Sequence, residues 1–107
     1  MLPPYSFDAP ERANLDASRG WLLLEFGSNG CGICHAATPS IAAALAERPD
    51  LLHLRIQDGK GLRLGRSYAV KLWPTLILLH DGREVRRLVR PRNTAEISTF
   101  LAACGSA

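Results

Sequence analysis

The stretch Cys31-Gly32-Ile33-Cys34 says more about the fold than any other part of this chain. It follows an apolar run from Trp21 to Phe26 and a short polar loop, and it stands at the start of a helical pattern. Two cysteines separated by two residues, next to a strand–helix–strand pattern, are typical of a thiol–disulfide redox site. One helical turn brings such a pair within reach of a disulfide, which needs Cα atoms about 4.4–6.8 Å apart.

His35 adds a second motif to the same stretch, because CxxCH is the attachment site of c-type haem. Met1 is the single methionine that could serve as an axial ligand. Residues 1–8 contain neither the basic nor the apolar segment of a secretory signal. Since the strand and helix around the cysteines already explain the pair, we expect no haem and place His35 on the helix surface. The charged form of His35 would favour a neighbouring thiolate.

The composition indicates one globular domain without a membrane segment or a nucleic-acid surface. The chain has 107 residues, 47% of them hydrophobic, and a net charge of +3; these values are ordinary for a single domain. No apolar run approaches the ~18 residues of a membrane span, and the arginines at 83–92 lack interleaved aromatic residues. We expect one monomeric domain over residues 1–107, with residues 1–9 as an extended lead-in and residues 104–107 as a tail.

The absence of a signal sequence predicts a reducing, cytoplasmic location for the chain. Structural disulfides are rare in such a compartment, so the cysteine pair is expected to be catalytic or to bind a metal.

The pattern of apolar residues predicts an α/β fold with a mixed central sheet of about four strands flanked by helices. The run from Trp21 to Phe26 indicates a central strand that is buried on both faces. Asp81-Gly82 predicts a hairpin, which follows two parallel crossovers. The predicted elements are a weak helix from about Pro10, a strand Trp21–Phe26, a helix from Cys31 to about Arg48 with Pro39 inside it, a strand Leu51–Ile56, a short helix Leu62–Tyr68, strands Thr75–Leu79 and Glu84–Val89, and a helix capped by Thr94 that reaches Ala103.

This order, with four anchors, resembles the thioredoxin family over roughly residues 20–103. The anchors are Glu25 on the strand six positions before Cys31, the cysteine pair, Pro39 in the active-site helix, and Trp73-Pro74-Thr75 before an apolar strand. The resemblance implies a thioredoxin-like fold and a thiol–disulfide oxidoreductase that reduces protein disulfides. It also implies a thioredoxin-reductase-like electron donor, no bound metal, and no cofactor other than the redox-active disulfide itself.

The resemblance assigns a role to each reacting residue. Cys31 is the nucleophile at the helix N-terminus, where the helix dipole favours a thiolate, and Cys34 is the resolving cysteine. Glu25 is implied to be the buried acid that moves a proton to or from Cys34, with a pKa raised by burial. The lysine that accompanies this acid in the family has no counterpart in Leu52-His53-Leu54.

The resemblance also predicts a substrate-binding rim around the cysteines. Pro74 is expected to be cis and to let the preceding residue pair with an extended substrate. Trp73, Gly30 and the pair Gly32-Ile33 are the other predicted members of this rim. Gly30 stands where the family usually has Trp, and Ile33 stands where it commonly has Pro. These departures predict that the chain selects unusual partners, although its thiol–disulfide chemistry is that of the family.

Two functions of other classes remain open on the sequence alone. A thioredoxin-fold binding module would hold a partner chain on the Trp73–Pro74 edge and use its cysteines for regulation. A metal or cofactor carrier would use Cys31, Cys34 and His35, although a closed zinc site needs four ligands and the third cysteine lies at the distant position 104. Turnover of a protein disulfide distinguishes the enzyme from the binding module, and metal content tests the carrier.

Overall fold

A computed structural model describes residues 2–105, so Met1 and the predicted tail residues Ser106 and Ala107 lie outside the described part of the chain. All of the predicted helices and strands are present within it. Their bounds are α1 Arg12–Asp16, β1 Trp21–Gly27, α2 Gly32–Ala46, β2 Leu52–Gln57, α3 Arg63–Ser67, β3 Thr75–His80, β4 Arg83–Val89 and α4 Thr94–Leu101, followed by a 3-10 turn Ala102–Cys104.

The sheet is mixed and has four strands in the order β2-β1-β3-β4, which confirms the predicted fold class. The expectation of two parallel crossovers is wrong, because β2 runs parallel to β1 but β3 runs antiparallel to it. The five residues of α3 span about 7.5 Å. A return along the six residues of β2 would need about 20 Å. The chain therefore stays at one end of the sheet and enters β3 in the opposite direction.

The predicted hairpin joins β3 and β4. Asp81 and Gly82 both have positive φ, at 50° and 79°, as a tight two-residue connection between antiparallel strands requires. A Cβ on Gly82 would come within 2.0 Å of the Asp16 carbonyl oxygen, so this turn packs directly against the end of α1.

Side chains on the two faces of the central strand β1 enter two separate cores. Leu22, Leu24 and Phe26 pack on the side of α1 and α3, whereas Leu23 packs on the side of α2 and α4. This alternation follows from the two-residue period of a strand. It also puts Glu25 on the same face as Leu23, which is the face that α2 covers.

Two local features differ from the sequence predictions. The lead-in is more than an extended tail, because Ser6 forms a parallel bridge to Ile56 at the outer edge of β2. The N-cap of α4 is Asn93 instead of Thr94, since the Asn93 side chain accepts the Glu96 N–H at 2.8 Å. Asparagine is among the strongest N-cap residues, and its carboxamide reaches the N–H three residues further along.

Within residues 2–105, none of the helices is both long and apolar enough to cross a membrane.

Candidate active site

The two cysteines of the motif lie where β1 leads into α2, and their surroundings differ. Cys31 is the N-cap residue of α2, and its Sγ accepts the Cys34 N–H at 3.2 Å. Cys31 is partly exposed, whereas Cys34 is 0% exposed on the inner side of the first helical turn. Both are free thiols. The fold therefore presents one sulfur at a helix N-terminus, where free backbone N–H groups favour negative charge, and keeps its neighbour below it.

The buried position determines the protonation of Cys34. Burial, with a further contribution from the contact with Cys31, raises the pKa of the Cys34 thiol to about 11. Cys34 therefore holds its proton near neutral pH. Because the thiolate is the reactive form of cysteine, this thiol needs a group nearby that accepts its proton when it reacts.

Glu25 lies on β1, the strand that leads to the cysteine pair, and is fully buried. Arg55 contacts it with two parallel hydrogen bonds, from Nε to Oε1 at 3.0 Å and from Nη2 to Oε2 at 2.9 Å. His53 Nε2 lies 2.9 Å from Oε1, and the Tyr5 hydroxyl donates to Oε2. Both carboxylate oxygens are thus satisfied, as a buried charge requires.

These contacts reverse the expected direction of the Glu25 pKa. Burial by itself raises this pKa, as the sequence predicted. Hydrogen bonds from His53, Arg55 and Tyr5 act the other way and prevail, so the pKa of Glu25 lies below its ordinary value. The expectation of a raised pKa is therefore wrong. Glu25 is an ionised carboxylate at neutral pH, held by the guanidinium of Arg55.

The partners of Glu25 were not found from the sequence. The segment Leu52-His53-Leu54 contains no lysine, but the parallel register of β1 and β2 pairs Glu25 with Arg55, one position beyond it. His53 and Arg55 are two residues apart, so both point to the face that carries Glu25. The two-residue side-chain period of a strand would have identified both His53 and Arg55 as partners of Glu25. Tyr5 gave no local signal, because its contact with Glu25 spans 20 residues of chain.

The predicted rim residues lie at one end of the sheet, near the start of α2. Thr75 pairs with Phe26, so the segment before β3 lies beside the loop that leads to Cys31. The Trp73–Pro74 peptide bond is cis. The three other predicted members are exposed: Gly30, Gly32 and Ile33, of which Ile33 is 47% exposed.

Trp73 is half-buried and is anchored at both its side chain and its backbone. Its indole Nε1 donates to Asp58 Oδ2 at 2.9 Å, and its carbonyl oxygen accepts Arg90 Nε at 2.9 Å. The Asp58 carboxylate packs closely against α3, because a Cβ on Gly65 would come within 2.4 Å of it. Trp73 is therefore held through both its indole ring and its backbone.

His35 contacts the backbone of the loop that precedes Cys31. Its Nε2 lies 2.6 Å from the Asn29 carbonyl oxygen, on the rim of a cavity of about 290 Å³ that Thr38 and Arg55 also line. Over residues 2–105, no group of three or more His, Cys, Asp or Glu side chains is arranged to hold a metal ion.

The chain is similar in sequence and structure to known proteins of one family. The Thioredoxin family model matches residues 8–103. Thioredoxin of Chlamydia trachomatis is 39% identical over 70 residues, which cover 65% of this chain and 69% of the relative. The solved structure of reduced thioredoxin 2 from Pseudomonas aeruginosa has a TM-score of 0.88 and 45% identity, over 97% of this chain and 96% of that one. A mutant thioredoxin from Halobacterium salinarum shares the fold with a TM-score of 0.76 at 24% identity, over 98% and 92%. The chain belongs to the thioredoxin family of thiol–disulfide oxidoreductases.

Proposed function

We propose that this chain reduces protein disulfides through the Cys31-Gly32-Ile33-Cys34 centre, with Cys31 as the nucleophile and Cys34 as the resolving thiol. The observation that carries the proposal is the asymmetry of the pair. One sulfur is accessible at a helix N-terminus, and its partner is buried and protonated one turn away. Attack through an exposed thiolate followed by resolution from a buried thiol needs such an arrangement.

The reaction proceeds in two exchanges. In the first, the Cys31 thiolate attacks one sulfur of the substrate disulfide, a mixed disulfide forms, and the other substrate sulfur leaves as a thiolate that takes up a proton. In the second, Cys34 loses its proton and attacks Cys31 Sγ. The bond between Cys31 and the substrate breaks, so the substrate gains two electrons and the protein becomes the Cys31–Cys34 disulfide.

The remaining roles complete this proposal. Glu25 moves a proton to or from Cys34 during the second exchange. The substrate chain binds as an added strand beside the predicted rim. The rim consists of Trp73, Pro74, Gly30 and the pair Gly32-Ile33.

Electrons return from a thioredoxin-reductase-like donor, and the redox-active disulfide is the only redox group that the cycle requires. The protein acts as a monomer in the cytoplasm, where a reducing environment drives the cycle towards substrate reduction.

Reduction of insulin by dithiothreitol tests the proposal, because released insulin chains make the solution turbid. Wild-type protein is expected to accelerate the reaction, and Cys31→Ser is expected to abolish the acceleration. Cys104→Ser is the matched control, since it removes a thiol from the 3-10 turn after α4 and leaves both cysteines of the motif in place. Equal turbidity with wild type and Cys31→Ser would refute the enzyme and favour the binding module.

Cys34→Ser tests the order of the two cysteines. This variant retains the nucleophile and lacks the resolving thiol, so it is expected to accumulate a covalent mixed disulfide with the substrate. Mass spectrometry of the unreduced mixture would show the adduct on Cys31. An adduct that forms on position 34 in Cys31→Ser and not on Cys31 in Cys34→Ser would reverse the assignment.

A further inference from the structure

A cavity of about 400 Å³ opens between Trp73 and α3. Its volume falls in the range of known ligand pockets, which is about 300–1,000 Å³. The turn that follows β2 lines one part of the cavity, and the end of α3 with the loop after it lines the rest. The lining side chains that carry charge or an aromatic ring are Asp58, Lys60, Arg66, Lys71 and Trp73.

Backbone hydrogen bonds hold the walls of this cavity. The Leu62 N–H donates to the Gly59 carbonyl oxygen at 3.1 Å and closes the turn after β2. On the other side, the Val70 N–H donates to the Gly65 carbonyl oxygen at 2.9 Å and folds the loop back against α3. The cavity walls are thus parts of the fold with their own hydrogen bonds.

The Trp73 indole belongs both to this cavity and to the predicted rim. Its Nε1 donates to Asp58 Oδ2 at 2.9 Å, and its ring lines the cavity. The next residue is the cis-proline Pro74. A substrate chain that passes along the rim therefore reaches the cavity at Trp73.

The cavity also lies close to the proposed nucleophile. The Asp58 N–H donates to the Gly27 carbonyl oxygen at 2.7 Å, at the end of β1. Cys31 follows Gly27 by four residues, and such a segment spans at most about 14 Å. An extended peptide covers the same distance in roughly four residues. One substrate chain can thus contact Cys31 and the cavity together.

The side chains around the cavity carry an excess of positive charge. Lys60, Arg66 and Lys71 contribute three cations, and Asp58 contributes one carboxylate. All three cations are exposed, and within residues 2–105 none of them forms an ion pair. The Asp58 carboxylate is already engaged by Trp73. The three cations are therefore available to carboxylates of a bound chain.

A second cavity provides an internal comparison. It has a volume of about 630 Å³ and lies beside the Asp81-Gly82 turn, at the end of the sheet where β1 begins. Three arginines and three acidic residues line it, so its charges balance: Arg12, Arg19, Arg83, Asp16, Asp81 and Glu84. The two cavities, at opposite ends of the sheet, therefore differ in charge.

We propose that the cavity beside Trp73 binds acidic residues of the substrate protein close to the disulfide that is reduced, an inference that rests on the proposed function. Asp or Glu side chains about three to five residues from the attacked cysteine reach the three cations while that cysteine lies at Cys31. Trp73 contacts the intervening part of the substrate chain. Because the cavity adjoins the reacting thiol, its occupant is a protein with a disulfide rather than a nucleic acid. The preferred substrates are disulfides in acidic sequence.

The expected preference follows from the strength of exposed ion pairs. Each such pair contributes up to about fivefold in affinity, so two or more acidic side chains on one substrate predict a preference of about tenfold. Salt screens these pairs, since the Debye length falls from about 10 Å at 0.1 M to about 3 Å at 1 M. The preference should therefore decline as ionic strength rises.

Three synthetic peptides with the same intramolecular disulfide test the proposal. They carry glutamate, glutamine or lysine about three to five residues outside each cysteine. Reduced protein is mixed with each peptide at low ionic strength, samples are quenched with acid, and chromatography gives the second-order rate constant of peptide reduction.

Two double variants identify the cavity that is responsible. Lys60→Gln with Lys71→Gln removes two positive charges beside Trp73. Arg19→Gln with Arg83→Gln is the matched control, because it removes the same charge from the second cavity, and these arginines are also exposed. Circular dichroism confirms that both variants are folded.

We expect wild type to reduce the glutamate peptide about tenfold faster than the glutamine peptide and to reduce the lysine peptide most slowly. The ratio of the glutamate rate to the glutamine rate should fall to about twofold in the variant beside Trp73, where one cation remains. The control variant should keep the wild-type ratio. Addition of salt should lower the ratio in wild type.

Equal rates on the three peptides would overturn this proposal and leave the proposed function standing. An equal loss of preference in both double variants would also overturn it, because net charge alone would then explain the effect. Equal peptide rates, with a fluorescent single-stranded oligonucleotide that binds wild type and not the variant beside Trp73, would assign the cavity to nucleic acid instead. A wild type that reduces neither the peptides nor insulin would refute the proposed function, and this proposal with it.

Discussion

Replacement of Arg55 by methionine provides the sharpest test of how the buried carboxylate is held. Methionine retains an apolar stem and removes the guanidinium. The substitution deletes both hydrogen bonds to Glu25 and the bonds from Arg55 to the Pro3 carbonyl and to Thr38. It leaves Glu25 with His53 and Tyr5 as its remaining partners.

The burial of the pair determines the expected cost. The side chains of Arg55 and Glu25 are 6% and 0% exposed, so solvent screening gives little compensation. Removing one partner of a buried, hydrogen-bonded pair lowers the free energy of unfolding by about 3–5 kcal/mol. That is a large share of the roughly 5–15 kcal/mol that stabilises a typical domain. For a chain of this size, it corresponds to a fall in Tm of about 12–20 °C, at roughly 4 °C per kcal/mol.

Chemical denaturation at pH 7 followed by circular dichroism measures this loss, and two further variants interpret it. Arg92→Met removes an arginine from a surface pair in which its side chain is 84% exposed, and little change is expected. Glu25→Gln combined with Arg55→Met removes the stranded charge, so this double variant should be more stable than Arg55→Met. A loss below about 1 kcal/mol, or a double variant no more stable than the single one, would refute the account.

Three further outcomes follow from the structure. Because the folded pKa of Glu25 lies below its ordinary value, its contribution to stability is present above the ordinary carboxyl pKa and is lost as pH falls through the folded value. Urea midpoints of wild type and Glu25→Gln should therefore converge on acidification; a constant difference would contradict this. Gly27→Ala forces Tyr5 aside and should lower Tm, whereas Gly32→Ala, with nothing within 4 Å of the new Cβ, should leave Tm unchanged; equal Tm values for the two variants would contradict this. Asn93→Ala should cost about 1 kcal/mol through loss of the N-cap, and thermal melts that match wild type would exclude this.

The secondary structure was predictable because its signals are local. The apolar run Trp21–Phe26 predicted a buried central strand, and the structure places it between two other strands with its side chains divided over two cores. Asp81-Gly82 predicted the hairpin through a backbone preference that two residues carry by themselves. The direction of β3 was wrong, because strand direction depends on how far the intervening helix reaches through space, which apolar periodicity does not encode.

The positions of the two cysteines were likewise predictable, and the partners of Glu25 were not. The spacing of Cys31 and Cys34 before a helical pattern is enough to place one sulfur at the helix N-terminus and the other a turn inside. The state of Glu25 depends on partners that are 20, 28 and 30 residues away along the chain. Burial alone predicted a raised pKa for Glu25, but hydrogen bonds from these three partners lower it below its ordinary value.

The sequence by itself determined the fold class and the positions of the two cysteines, because strand alternation, helix periodicity and turn preferences act over a few neighbouring residues. Only the tertiary structure decided which groups surround the buried carboxylate. Strand pairing sets Arg55 opposite Glu25. The N-terminal segment pairs with the outer edge of β2 and brings the Tyr5 hydroxyl to the Glu25 carboxylate. Charge and hydrogen bonding act through space over a few ångströms, so the electrostatics of the site exist only once distant segments of the chain have met.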